Sequence, residues 1–153
     1  MARVFTGKIV IPGDRIEEYL HALEEAEKEV EPFRNFMLLL KEEFEQYLSS
    51  QVSARTVRKH CAIINVFIDF LCLNTDVRRI EDISRGIANS YFRRWYMGKI
   101  GDCSESELKA TIKKFFQYLA SEKGIRNEEV LKSFKDSVAL IFAAHNSAIG
   151  RHN

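Results

Sequence analysis

From Asp14 onward the apolar side chains recur at intervals of three and four, and this regularity restricts the chain to helices. Ile16, Tyr19, Leu20, Leu23 and Val30 make one stripe beneath a glutamate-rich face, with Asp14 placed to cap the helix that carries them. Phe33, Phe36, Met37, Leu40, Phe44, Tyr47 and Leu48 make another. Glu31-Pro32 stands between the two. Proline restrains the residue before it and suits a first helical turn, so the sequence predicts that one helix ends here and a second begins.

Ser53 is the expected cap of a third helix running to about Leu73, in which only Asn65 and Asp69 interrupt the apolar residues after His60; such a helix has to be nearly surrounded by others. A fourth is expected from Ser84 through Met97, ended by Gly98 and Gly101. Ser104-Glu105-Ser106-Glu107 has the capping-box form, in which Ser104 and Glu107 satisfy each other's free backbone donors, and Gly124 stops the fifth helix after Leu119. Asn127 caps a sixth, with Val130, Leu131, Phe134, Val138 and Ile141 as its stripe. Before all of these, Val4 to Ile11 is β-prone and ends at Pro12-Gly13, the pattern of an extended arm followed by a turn. The expectation is an all-α chain: an orthogonal bundle of about six helices with a short extended N-terminal arm, in which Phe67, Ile68, Leu71, Trp95, Phe115, Phe116 and Leu119 share one core.

With 153 residues, 46% of them hydrophobic and 29% charged, the chain is long enough to close one core without disulfides or metal. It divides into an arm with an acidic helical extension (1–40), a central bundle (41–127), and a C-terminal helix and tail (128–153). The longest apolar run, Val138 to Ala144, is far short of the roughly 20 residues that span a bilayer. Gly7 and Lys8 interrupt the start where a signal peptide needs an apolar stretch. Cys61, Cys72 and Cys103 are odd in number and lack C-x-x-C spacing, which suits a reducing cytoplasm, with Cys61 and Cys72 in the core. A β-prone arm without a partner strand tends to find one in a second copy, so a homodimer is a further expectation.

No catalytic centre is legible. His21, His60, His145 and His152 make no paired metal spacing and no H-E-x-x-H or H-x-x-R, and the glycines form neither G-x-G-x-x-G nor a P-loop. Paired glutamates such as Glu24-Glu25 and Glu42-Glu43 have the spacing of solvated helix faces. The expectation is a non-enzyme with no cofactor, no metal and no small-molecule substrate.

Charge is unevenly placed. Residues 1–48 hold six basic and eleven acidic side chains, whereas residues 49–153 hold seventeen and eleven. On the third helix Arg55, Arg58, Ala62, Asn65 and Asp69 lie along one stripe that opens with two arginines, with Lys59 beside them. The fifth helix carries Lys109 and Lys113 four apart, flanked by Lys114, and the fourth carries Arg93-Arg94. These faces are either solubilising charge or contacts for a polyanion.

Residues 41–127 resemble the core-binding, SAM-like N-terminal domain of tyrosine recombinases and phage-type integrases. The resemblance rests on Phe44-x-x-Tyr47-Leu48, then Ser53-x-x-Thr56-x-x-x-His60, then Ile64-x-x-Phe67-x-x-Phe70-Leu71, then Ile80-x-x-Ile83-Ser84, and finally Lys113-x-Phe115-Phe116-x-Tyr118-Leu119 with Gly124-Ile125-x-Asn127. Such domains are four-helix bundles that clamp one side of duplex DNA, mostly through phosphates. The resemblance therefore implies a duplex DNA partner met by Arg55, Arg58, Lys59, Arg93, Arg94, Lys109, Lys113 and Lys114. Two positions depart from the family pattern: His60 stands for an aromatic residue, and Glu128 for a proline leading to the catalytic domain. The family's catalytic set of two arginines, H-x-x-R and a nucleophilic tyrosine has no counterpart here. The alternative is a helical protein-interaction module that engages no nucleic acid, through the acidic first helix, the arm or the sixth helix.

Overall fold

The computed structural model describes residues 2–5, 7 and 10–134. Its first helix, α1 (Ile16–Ser49), is 34 residues long and runs without a break through Pro32. The helix end expected at Glu31-Pro32 is therefore absent. Proline removes one hydrogen bond, the one its own N–H would make to the carbonyl of Lys28. That loss is offset by a stripe that keeps its spacing across the proline, since Val30, Phe33, Met37, Leu40, Phe44 and Leu48 are all buried in the same core. Asp14 also departs from expectation: it lies in a single 3-10 turn, Gly13–Arg15, and α1 starts without a side-chain cap.

The other caps are made as the sequence indicates. Ser53 accepts the Thr56 N–H at 3.3 Å to open α2 (Ala54–Asn74). Ser84 accepts the Ile87 N–H at 3.1 Å to start the fourth expected helix at Arg85, but after two residues the helix widens into a π turn, Ile87–Tyr91, before continuing as α3 (Phe92–Lys99). The capping box of Ser104 and Glu107 opens α4 (Glu105–Glu122). Gly124, at φ +66°, closes it, with the Ile125 N–H reaching back to the Leu119 carbonyl at 2.9 Å. Asn127 accepts the Val130 N–H at 3.0 Å to open α5, described over residues 128–134. Its amide also donates to the carbonyls of Ile80 and Ile83, at 2.8 Å each, which ties α5 to the 3-10 turn Ile80–Asp82. The fold is all-α, with five helices among the described residues where about six were expected. Val138 and Ile141 lie outside the described residues.

α2 is the centre of the assembly, packed against both α1 and α4, while α3 packs on α4. Of the seven residues expected to share a core, six are buried. Trp95 is half-buried against Phe70, with ring centres 5.2 Å apart. Aromatic contacts run through the junctions: Phe44 of α1 meets Phe115 and Tyr118 of α4, and Phe67 of α2 meets Phe92 of α3 and Phe116 of α4. Cys72 is buried and Cys61 half-buried, and burial pushes both thiols up.

The described part of the arm is held by the chain itself. Val4 makes an isolated antiparallel bridge with Thr75, and the Phe5 N–H donates to the Asn74 carbonyl at 2.5 Å. Arg3 grips Asp76 with its backbone N–H and its guanidinium, which holds that carboxyl below the usual carboxylate range. No strand forms among the described residues, and none of their helices is long and apolar enough to cross a membrane.

Candidate nucleic-acid interface

The basic side chains are best placed relative to α4, which has two packed edges and an exposed ridge between them. On one edge it meets α2: Lys59 Nζ lies 2.9 Å from Glu107 Oε1, and His60 Nδ1 lies 2.6 Å from Thr111 Oγ1. On the other edge Glu105, Leu108, Lys109 and Ile112 face Ala88, Asn89, Phe92 and Arg93. Ser106, Ala110 and Gln117 are exposed along the ridge, with Lys113 partly so. Cations border the ridge from both sides.

At the α3 edge, Arg93 and Lys109 line one cleft of about 450 Å³ together with Arg85, Asn89, Ser90, Glu129 and Ser133. Three cations face a single carboxylate there, and Glu129 already accepts the Arg85 backbone N–H at 3.3 Å. Among the described residues the Arg85, Arg93 and Lys109 side chains form no ion pair. Asn89 donates to Ser133 Oγ at 3.0 Å, fastening the π turn to α5. Arg85 and Asn89 were not among the expected site residues. Arg85 directly follows the capping Ser84 and was legible as a first-turn cation, but the π turn that aims Asn89 at α5 leaves no mark in periodicity.

At the α2 edge the cations are less free. Lys59 is compensated by Glu107, whose carboxyl it holds below the usual range. Lys114 is half-buried close to His60, and burial, Lys114 and Lys59, in that order, push the imidazole pKa down. Arg55 and Arg58 are exposed on the first turns of α2, and Arg58 points about 100° round the helix from Lys59. Arg94 leaves the group: its guanidinium lies over the Tyr91 ring, 5.8 Å from the centroid, rather than beside Arg93. The lower part of the α2 polar stripe has another duty. Asp69 accepts from Arg34 at 2.8 Å and Asn65 from Lys41 at 3.3 Å, so both lock α2 to α1.

A second cleft, of about 340 Å³, lies between Lys59, His60, Tyr96, Asp102, Cys103 and Glu107. Its polar groups satisfy one another. The Tyr96 hydroxyl donates to Asp102, and burial together with that bond pushes the phenol well above its usual range. Burial also raises the Cys103 thiol, opposite to the shift that makes a cysteine nucleophilic. Among the described residues no three His, Cys, Asp or Glu side chains are grouped to hold a metal ion.

No family model, curated protein or solved structure matches this chain.

Proposed function

We propose that this chain is a non-catalytic DNA-binding module of the core-binding recombinase type, holding duplex phosphates across the outer ridge of α4. The observation that carries the reading is the cleft where Arg85, Arg93 and Lys109 converge against one carboxylate, at one side of a ridge that Lys113 and the exposed first turns of α2 extend. Guanidinium and ammonium groups that form no ion pair among the described residues, beside an amide with one N–H still to give, suit phosphate oxygens; the hydroxyls of Ser90 and Ser133 already donate to the Gly86 and Val130 carbonyls. Contacts of that kind fix position on the duplex without reading base sequence. The ordered motifs from Phe44 to Asn127 support the same reading.

Binding should be electrostatic. With about four to six phosphates neutralised, log K should fall with log salt at a slope of roughly −4 to −5 on duplex DNA, because each contact contributes about −0.9. Replacing Arg93 and Lys109 together with alanine should weaken all duplex sequences alike and flatten the slope by about two. Replacing Arg15 and Lys28, which are exposed and paired with neighbouring glutamates on α1, should do little. Titration of labelled duplexes across a salt series tests this. Absence of binding at low salt, or equal effects of the two double substitutions, would remove the nucleic-acid reading and leave the helical interaction module.

A further inference from the structure

The apolar stripe of α1 is longer than the bundle that uses it. Ile16, Tyr19, Leu23, Ala26, Val30, Phe33, Met37, Leu40, Phe44 and Tyr47 follow one another at alternating steps of three and four, a repeat averaging 3.5 residues over the whole helix. From Val30 onward the stripe is covered by α2 and α4. Before Val30 no side chain of α1 is buried: Ile16, Leu20 and Leu23 are 47%, 51% and 40% exposed. This part extends about 21 Å at 1.5 Å per residue. A repeat kept in register over an uncovered segment is the pattern of a helix that meets another helix.

The charges indicate which kind. Between Arg15 and Glu31 there are seven glutamates against two cations, and both cations are already engaged by this helix: Arg15 with Glu18 at 3.7 Å, Lys28 with Glu25 at 3.5 Å. Glu27 and Glu29 stand on either side of the stripe, where flanking residues select a coiled-coil partner. A second copy would bring the same excess of carboxylates onto itself, and like charges across such a seam disfavour pairing.

We infer that the uncovered half of α1 is a docking surface for a basic amphipathic helix of another protein, one that places apolar residues at heptad spacing on this stripe and lysine or arginine beside Glu27 and Glu29. The surface is separate from the α4 ridge, so it stands whether or not the chain holds DNA.

The probe is a synthetic helical peptide of about three heptads with leucine along its seam and lysine at the flanking positions. Two controls accompany it, one with glutamate at the flanks and one of the same lysine and leucine content with the heptad spacing scrambled. Fluorescence anisotropy with the full chain should register the lysine-flanked peptide alone. The Leu20→Glu, Leu23→Glu double variant should bind it on the order of tenfold or more weakly at an unchanged melting midpoint, since neither residue is buried. The inference is overturned if the scrambled peptide binds as well, if the double variant binds undiminished, or if no peptide binds. It is equally overturned if light scattering finds a dimer that the double variant abolishes, because the occupant is then a second copy.

Discussion

The two halves of α1 share one apolar spacing and one backbone geometry, yet among the described residues only the half from Val30 onward is packed. Phe44 is fully buried and Leu23 is 40% exposed, although each occupies the same place in the repeat. Periodicity therefore reports that a face will be apolar, not that the same molecule will cover it. Cover depends on what the rest of the chain can reach, and α2, at 21 residues, is too short to run beside all 34 of α1.

The largest effect that would sharpen this contrast comes from truncation. Phe44→Ala should cost about 3–5 kcal/mol, as should Phe116→Ala, because each leaves a ring-sized void in a packed core. Leu23→Ala should stay within about 0.5 kcal/mol. Urea midpoints measure all three, and a Leu23 effect rivalling that of Phe44 would mean the first half is covered after all. A smaller effect of opposite sign is expected at the boundary. Pro32→Ala should stabilise by about 1–2 kcal/mol, since alanine restores the missing N–H while giving up only the small advantage proline has in the unfolded chain. A loss of stability there would mean that the proline ring packs better than the helix bonds it displaces.

The smallest effect separates charge from titration. The first half of α1 is densely acidic, but a group shifted in the range near neutral pH lies elsewhere, at His60, whose ring sits between α2 and α4. Its folded-state pKa lies below the ordinary imidazole value, so as pH falls through that ordinary value the unfolded chain takes up a proton more readily than the folded one. Stability is complete above this range and declines as pH falls through it towards the folded pKa. His60→Gln should flatten the melting midpoint between about pH 7.5 and 5. An unchanged slope in that variant would move the response elsewhere.

Much of the fold was legible because caps and stripes are local. Ser53, Ser104 and Asn127 each cap the helix expected of them, since a side-chain oxygen three residues before a free N–H needs little help from the tertiary structure. Pro32 misled for a comparable reason. The proline rule is a local penalty, and the spacing from Val30 to Phe33 and Met37 already carried the contrary signal that burial made decisive. The basic cleft was half legible: Arg93 and Lys109 stand out as cations, but their meeting with Arg85 depends on α3 lying along α4. The partner of His60 was not legible, because nothing in its own segment foretells Thr111, fifty-one residues on.

The π turn couples two properties that would otherwise vary separately. Phe92 bonds back to the Ile87 carbonyl five residues earlier, so Ile87–Tyr91 holds one residue more than a regular helical turn would. Deleting one residue there would let the segment close with ordinary helical bonds, leaving Arg85 and the core rings of Phe92 and Tyr96 in their relative places, whereas an added residue, or a second deletion, would turn the two ends by about 100° against each other. Arg85 would then leave the side of Arg93 and Lys109, or the aromatic rings would be drawn out of the interior. In an insertion and deletion scan this short stretch should therefore accept one deletion and reject other changes of length, because one azimuthal setting serves both the charged cleft and the packing beneath it.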